Sequence, residues 1–234
     1  AIADHPPQQR AMAAGYKALT VCSALKTAEA AGSTRSLASI EANELSGIYP
    51  ELQPIIGHLT AEVSDHGVRV AWDASAPARV ASYRSGQGCV IQPMGYVSGT
   101  PLAPVARRAQ ADDLPTGAVS GDAAGVDQVI RSALDQTYGA GTNTTGVVIL
   151  QNGQRVAEAY KDGFGPHVPQ RTWSVAKSIA GTLIGAAVHR GEMSVSDRAP
   201  IANWQVAGDP RAAITVESLM RMASGLTSDT AGNR

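Results

Sequence analysis

The chain has 234 residues, of which 44% are hydrophobic and 17% are charged, and its formal net charge is -1 at pH 7. This is the composition of a globular protein, and it lacks the basic excess that is typical of nucleic-acid binders. The longest weakly polar run, residues 174–188, is shorter than the about 20 apolar residues that cross a bilayer. We therefore expect neither a nucleic-acid partner nor a membrane-spanning segment.

The first part of the chain, up to about residue 120, consists of short elements separated by Pro, Gly and Ser. We interpret it as an N-terminal α+β segment. Its hydrophobic periodicity predicts helices near residues 9–30 and 36–45, and strands at 67–72, 78–84 and 88–93.

A polar, Pro- and Gly-rich stretch over residues 99–125 predicts a linker or a long surface connection. We therefore divide the chain into an N-terminal segment, 1–120, and a second domain that begins at 121 and continues to 234. The second part has clearer sequence signals of secondary structure. They predict a helix from Val126 to Tyr138 that stops at Gly139, a hairpin over 145–160 around Asn152 and Gly153, a helix over 174–190 that stops at Gly191, and a helix over 214–226 with Thr215 as N-cap and Gly225 as stop.

Ser174 and Lys177 stand three positions apart at the start of the helix predicted for 174–190. This spacing brings two side chains together on a helix. A serine becomes a nucleophile when a neighbouring base takes its proton, and a lysine can do so where its surroundings favour the neutral amine. The unpaired N–H groups and the positive dipole end of the first turn also favour negative charge on a substrate oxygen.

The spacing alone is not specific, because Ser23 and Lys26 repeat it inside the first predicted helix. On spacing alone, the polar first turn of a core helix is the more common explanation of a pair such as Ser174 and Lys177. The surrounding sequence has to distinguish these alternatives.

The surrounding sequence resembles a known family. The stretches "TWSVAKSIAGTLIGAAVHRGEMSVSDRAPI" (172–201) and "ITVESLMRMASGL" (214–226) are similar to the serine β-lactamase and penicillin-binding protein superfamily. The resemblance covers about residues 126–226 and is greatest to the class C-type branch, with its esterases, D-aminopeptidases and 6-aminohexanoate-dimer hydrolases. It implies that Ser174 is the acylated nucleophile, that Lys177 accepts its proton, and that the Ser174 N–H forms half of an oxyanion hole.

Two later elements of the family pattern do not follow Gly225: a Tyr-x-Asn or Ser-x-Asn loop, and a Lys-Thr-Gly-like or His-x-Gly-like strand. Lys161 and His189 begin similar triplets in the wrong order, and we interpret them as a hairpin-end charge and a helix-end residue. Either a second polypeptide, cleaved from the same precursor after Arg234, supplies the rest of the domain, or the chain is a truncated, inactive product. We favour the first, because exposed polar loops are common sites of proteolysis.

The two cysteines, Cys22 and Cys89, are either a disulfide or two buried free thiols. A disulfide of this span would stabilise the fold by roughly 4 kcal/mol on the chain-entropy model and would require an oxidising compartment. The segments "GYKALTVCSA" (15–24) and "ARVASYRSGQGCV" (78–90) resemble, more loosely, the leading region of exported proteobacterial members of this group. The resemblance implies the disulfide and a periplasmic or secreted location.

Together these features predict an α+β fold of the β-lactamase/transpeptidase type, an antiparallel sheet flanked by helices, of which this chain holds the first part. The expected function is a serine hydrolase that cleaves amide or peptide bonds of small or unusual peptides, such as linearised cyclic peptides, through an acyl-enzyme on Ser174. Alternatives are a carboxylesterase, a β-lactamase or DD-peptidase, and a catalytically silent peptide-binding relative. No cofactor or metal is expected, because nucleotide-loop and metal-ligand spacings do not occur. Trp173 could line a substrate cleft.

Overall fold

The structure is a computed structural model, and it describes residues 2–96 and 114–227. These residues form an α+β fold with antiparallel sheets flanked by helices, which confirms the predicted fold class. The chain divides into two compact units, Ala1–Arg171 and Thr172–Arg234. The domain boundary near residue 120 stays a prediction, and most of the stretch interpreted as a linker lies outside the described residues.

The first unit is built on a four-stranded antiparallel sheet in the order β1-β2-β3-β4, which one long helix, α1, covers. The helices are α1 (Pro7–Ala30), α2 (Leu37–Asn43) and α3 (Gln53–Ile56). The strands are β1 (Ala61–Ser64), β2 (Gly67–Val70), β3 (Arg79–Arg84) and β4 (Gly88–Ile91). The sequence predicted α1, α2 and the last three strands, but not α3 and β1, which are only four residues each.

Small side chains on α1 allow the helix to lie close to the sheet. Ala14, Ala18 and Val21 are fully buried, and they belong to the same apolar core as the sheet residues Val68 and Ala81. Strand β2 also needs a glycine at its first position. Gly67 has φ +142°, and a Cβ placed there would lie 2.0 Å from the carbonyl oxygen of Ala81 on β3. The backbones of β2 and β3 therefore approach each other in a way that only glycine permits.

A disulfide joins Cys22 on α1 to Cys89 on β4, with 6.0 Å between the two Cα atoms. This confirms the pairing that the resemblance implied. The bond connects the middle of the covering helix to the last strand of the sheet, across a sequence separation of 67 residues. It therefore fixes the helix and the sheet edge to each other covalently.

The first unit also contains α4 (Ala123–Leu134) and the hairpin of β5 (Gly146–Gln151) and β6 (Gln154–Tyr160). Asn152 and Gly153 have φ of +52° and +77°, as the predicted tight turn requires. The predicted stop of α4 at Gly139 is wrong. The helix ends at Leu134 because Gln136 enters the left-handed region with φ +67°, and Tyr138 lies beyond the helix, 69% exposed.

The second unit contains α5 (Val175–His189), α6 (Val216–Met220) and two short 3-10 helices, Ala202–Trp204 and Pro210–Ala213. Gly191, with φ +71°, follows α5 as predicted. Thr215 caps α6 by accepting a hydrogen bond from the Ser218 N–H, which confirms the N-cap. Helix α6 is shorter than predicted, since Met222 already adopts φ +54° before Gly225. Among the described helices, none has the length and apolar character needed to cross a membrane.

Candidate active site

Ser174 and Lys177 meet at the beginning of α5. Ser174 is the residue directly before the helix, with φ -71° and ψ -5°, and its carbonyl accepts a hydrogen bond from the Lys177 N–H at 2.9 Å. The backbone of Ser174 is therefore already helical, and the two side chains project from the same turn. The structure places Ser174 at the N-cap position rather than inside the first turn.

The side chains of this pair form a direct hydrogen bond. Lys177 Nζ lies 3.0 Å from Ser174 Oγ. The Ser174 hydroxyl does not cap the helix with a side-chain hydrogen bond, unlike many serines at this position, and it is available to the lysine instead. As an ammonium the lysine donates to Oγ. A neutral amine at the same position would accept the serine proton, which is the step that makes serine a nucleophile.

The backbone N–H of Ser174 is available as a hydrogen-bond donor. The described residues offer the Ser174 N–H no backbone acceptor, while the next N–H groups, of Val175 and Ala176, donate to the carbonyls of Thr172 and Trp173 at 3.0 and 3.2 Å. An N–H at a helix N-terminus that lacks an acceptor within the fold is a ready donor to negative charge. It is suitably placed for the oxyanion that forms when Oγ attacks a carbonyl carbon.

Trp173 holds an uncommon backbone conformation directly before the serine. Its φ is +46°, in the left-handed region that bulky residues seldom adopt, and its side chain is 50% exposed. Such outliers concentrate at functional sites, where the surrounding structure maintains them. This conformation could not be predicted from the sequence, because an aromatic residue is a poor candidate for positive φ. That Trp173 lines a substrate cleft stays a prediction.

The second Ser-x-x-Lys pair, Ser23 and Lys26, lies in the interior of α1. Lys26 is 6% exposed, and its Nζ lies 3.0 Å from Glu29 Oε2 and 5.9 Å from the centre of the Tyr83 ring. Its ammonium is therefore held by a carboxylate and an aromatic face. The described residues show no hydrogen bond between Lys26 Nζ and Ser23 Oγ, in contrast to the pair at the start of α5.

Lys161 and His189, which begin the two triplets that occur in the wrong order, lie at the ends of secondary-structure elements. Lys161 follows β6, and its Nζ donates to Asn143 Oδ1 at 2.7 Å. His189 is the last residue of α5, where positive charge is favourable to the helix dipole. Within the described ranges, no group of three or more His, Cys, Asp or Glu side chains could hold a metal ion.

Part of the chain matches a known protein family. Residues 126–234 match the family model described as Beta-lactamase. The Beta-lactamase segment includes α5 and with it both Ser174 and Lys177, and it agrees with the stretch on which the sequence resemblance was based. The match supports a serine hydrolase of the serine β-lactamase and penicillin-binding protein superfamily. Neither a curated protein nor a solved structure matches the chain.

Proposed function

We propose that the chain provides the nucleophile of a serine hydrolase that cleaves amide or peptide bonds of small or unusual peptides. The observation that carries the proposal is the 3.0 Å contact between Lys177 Nζ and Ser174 Oγ at the start of α5, inside the Beta-lactamase segment. A nucleophile and its base within hydrogen-bond distance at a helix N-terminus are what acyl transfer requires.

In the proposed mechanism, Ser174 Oγ attacks the substrate carbonyl carbon while the Lys177 amine takes the hydroxyl proton. The carbonyl oxygen becomes an oxyanion, and the Ser174 N–H donates a hydrogen bond to it. Collapse of this intermediate breaks the C–N bond, and Lys177 returns its proton to the departing amine. Water then attacks the ester carbonyl of the acyl-enzyme, which releases the carboxylic acid and restores the Ser174 hydroxyl.

Labelling with a fluorophosphonate tests the nucleophile directly. The probe should add to the wild-type chain, and peptide mapping should place the adduct on Ser174. Ser174→Ala should abolish labelling, whereas Ser178→Ala, which changes an exposed serine of the same helix, should leave it unchanged. An adduct on another residue, or labelling that persists in Ser174→Ala, would contradict the proposal.

The substrate class is the finer part of the proposal. Wild type and Ser174→Ala should be compared on a panel that contains D-residue and linearised cyclic peptides, a carboxylester and a cephalosporin. Turnover of the peptides supports the amidase, and preferential turnover of the ester or the cephalosporin supports the carboxylesterase or β-lactamase alternatives. Binding of peptides without acylation would identify a catalytically silent relative.

We further propose that a second polypeptide, the C-terminal chain of the same precursor, completes the catalytic domain. Helix α5 supports this, because Val175, Ile179 and Leu183 repeat every four residues on one side and are 60%, 51% and 65% exposed. An apolar stripe of this kind normally packs against other elements. Strand β5 likewise exposes Val148 and Leu150.

Coexpression with and without the downstream segment of the precursor tests this second polypeptide. We expect a stable complex that labels faster than the isolated chain, and Leu183→Gln should weaken the complex. Val63→Gln, a change at another exposed apolar residue, is the matched control. An isolated chain that is monomeric, well folded and fully reactive would count against the proposal.

A periplasmic or secreted location is also part of the proposal. It is supported by the disulfide between Cys22 and Cys89, since such bonds persist in oxidising compartments. Fractionation of the native host should recover the protein outside the cytoplasm, with both cysteines protected from alkylation in the unfolded, unreduced protein. Recovery in the cytoplasm with free thiols would overturn this location.

A further inference from the structure

A cavity of about 430 Å³ lies in the first unit, between one side of α1 and the segment Pro169–Arg171. Ser174 and Lys177 are not part of its lining. Its volume falls within the range of about 300–1,000 Å³ that is typical of small-molecule sites. Neither the resemblance nor the family match gives a role to this cavity, so its chemistry has to be inferred from the side chains that line it.

Most of the surface inside the cavity is hydrocarbon. Leu19, Ala24 and Pro169 contribute aliphatic side chains to the lining, and Tyr16 contributes an aromatic one. A hydrocarbon ligand gains free energy when it leaves water for such surroundings, whereas a sugar or a nucleotide would lose hydrogen bonds to water that the lining does not replace. The cavity therefore favours a ligand with an aliphatic body.

The charged side chains of the lining already have partners in the fold. Glu44 forms an ion pair with Arg35, whose Nη1 lies 3.3 Å from Glu44 Oε1. The Arg171 guanidinium donates a hydrogen bond from Nη1 to the Tyr16 hydroxyl oxygen and lies 5.7 Å from the centre of the Tyr16 ring. Both charged groups are therefore engaged without a ligand, and neither needs one to complete its contacts.

Two uncharged hydroxyl groups of the lining are available instead. Thr20 and Ser23 stand three positions apart on α1, so their side chains lie on the same side of the helix. Within the described residues neither hydroxyl makes a hydrogen bond, whereas Thr27 Oγ1, one turn further along α1, donates to the Ser23 carbonyl. A hydroxyl can both donate and accept. The two groups are therefore complementary to another uncharged group that donates and accepts, such as an alcohol.

We propose that this cavity binds an uncharged aliphatic alcohol, whose chain lies along Leu19 and Ala24 and whose hydroxyl forms hydrogen bonds with Thr20 and Ser23. The site is independent of the proposed hydrolase, because none of the residues that carry it takes part in the acyl transfer.

Calorimetric titration of the full chain with octan-1-ol and with diethylene glycol monoethyl ether tests the aliphatic body. The two ligands have chains of equal length that end in a hydroxyl, but ether oxygens replace some of the methylene groups in the second. Octan-1-ol should bind with a saturable heat, and the ether should bind about tenfold or more weakly, since the cavity offers its oxygens no donors along the chain. Equal affinities, or the absence of saturable octan-1-ol binding, would overturn the proposal.

Variants locate the binding. Ala24→Phe fills the cavity and should abolish octan-1-ol binding. Thr20→Val and Ser23→Ala remove a hydroxyl at nearly constant size, and each should weaken octan-1-ol by about threefold to tenfold, as the loss of one hydrogen bond does. Thr27→Val is the matched control, because its hydroxyl already donates to a backbone carbonyl, and it should leave the affinity unchanged. If Ala24→Phe fails to fold, the hydroxyl variants decide: unchanged affinity in both Thr20→Val and Ser23→Ala contradicts the proposed anchor.

Discussion

Arg35 and Glu44 form an ion pair from which solvent is almost completely excluded. Nη1 of Arg35 lies 3.3 Å from Oε1 of Glu44, and the two side chains are 0% and 9% exposed. Arg35 also donates from Nη1 to the Pro169 carbonyl at 3.3 Å, and its guanidinium lies 4.9 Å from the centre of the Phe164 ring. Through Arg35, the pair therefore connects the region of α2 to the segment that contains Phe164 and Pro169.

Removing the arginine of this pair should be costly. Arg35→Met leaves the Glu44 carboxylate buried without its cation, which costs about 3–5 kcal/mol. The double change Arg35→Met with Glu44→Gln should recover part of that loss. Urea unfolding measures both. The exposed pair Arg69 and Glu62 is the control, and Arg69→Met should cost less than about 1 kcal/mol. Equal losses at the two arginines would contradict the role of burial.

Lys177 should determine how fast Ser174 is acylated. Lys177→Met removes the proton acceptor but retains an unbranched side chain of similar length, so the acylation rate should fall by about 10²–10⁴-fold. Quenched time courses of fluorophosphonate labelling measure the rate at which Ser174 Oγ attacks the probe, a reaction that needs the same removal of the hydroxyl proton. Lys161→Met is the matched control, because Lys161 contacts Asn143 and not the serine. A rate that is unchanged in Lys177→Met would assign the lysine a purely structural role.

Gly67 should tolerate no side chain. Gly67→Ala places a Cβ against the Ala81 carbonyl oxygen and imposes a positive φ on alanine, so the free energy of unfolding should fall by about 2–4 kcal/mol. Gly57 offers a control in the same unit, since its φ is -66° and nothing lies within 4 Å of an added Cβ. Gly57→Ala should be neutral or slightly stabilising. Thermal unfolding curves of the two variants measure the difference. If both variants lose stability equally, the loss is a general effect of alanine and not a steric conflict at Gly67.

The disulfide should contribute strongly to the stability of the first unit. Reduction, or the double change Cys22→Ala with Cys89→Ala, releases a loop of 67 residues in the unfolded state and should lower the free energy of unfolding by roughly 4 kcal/mol. Urea unfolding with and without reductant measures the loss. A midpoint that does not move on reduction would show that other contacts hold α1 on the sheet.

Asp73 should titrate below its usual range. Hydrogen bonds from the Ser75 hydroxyl and backbone N–H lower the pKa of Asp73, with a further contribution from Arg10. A lowered pKa in the folded state stabilises the fold above the unfolded pKa, and this contribution is lost as the pH falls through the folded value. Ser75→Ala removes one donor, so carboxyl NMR should record a higher Asp73 pKa. An unchanged titration would mean that the hydroxyl contributes nothing.

The sequence predicted the features that depend on neighbouring residues. The turn at Asn152 and Gly153, the Thr215 cap and the proximity of Ser174 to Lys177 each follow from local backbone geometry, and the structure reproduces them. The end of α4 was misplaced because Gln136, rather than the expected Gly139, adopts the left-handed conformation. Propensity favours glycine there. The turn is instead held by side-chain acceptors that the helix-stop rule does not consider: Asp135 Oδ1 accepts from the Thr137 N–H, and Gln136 Oε1 accepts from the Gly141 N–H.

The features that escaped prediction join residues far apart in the chain. Arg35 and the Pro169 carbonyl are separated by 134 positions, and Tyr16 and Arg171 by 155. No periodicity or motif relates such pairs, so neither the contact between Arg35 and Pro169 nor that between Tyr16 and Arg171 could be predicted. The disulfide between Cys22 and Cys89 could be predicted only because the surrounding stretches resemble exported proteins, since two cysteines alone do not specify a bond.

The disulfide has a consequence for how the protein withstands proteases. Strands β1, β2 and β3, with their connecting turns, all lie between Cys22 and Cys89. A single cut in any of these turns therefore yields two fragments that remain one covalent molecule, held around the core of α1 and the sheet. Such a nicked protein would migrate as one band without reductant and as two with it. In a protease-rich environment, this topology would keep the sheet together after a cut that would separate the fragments of a chain without the bond.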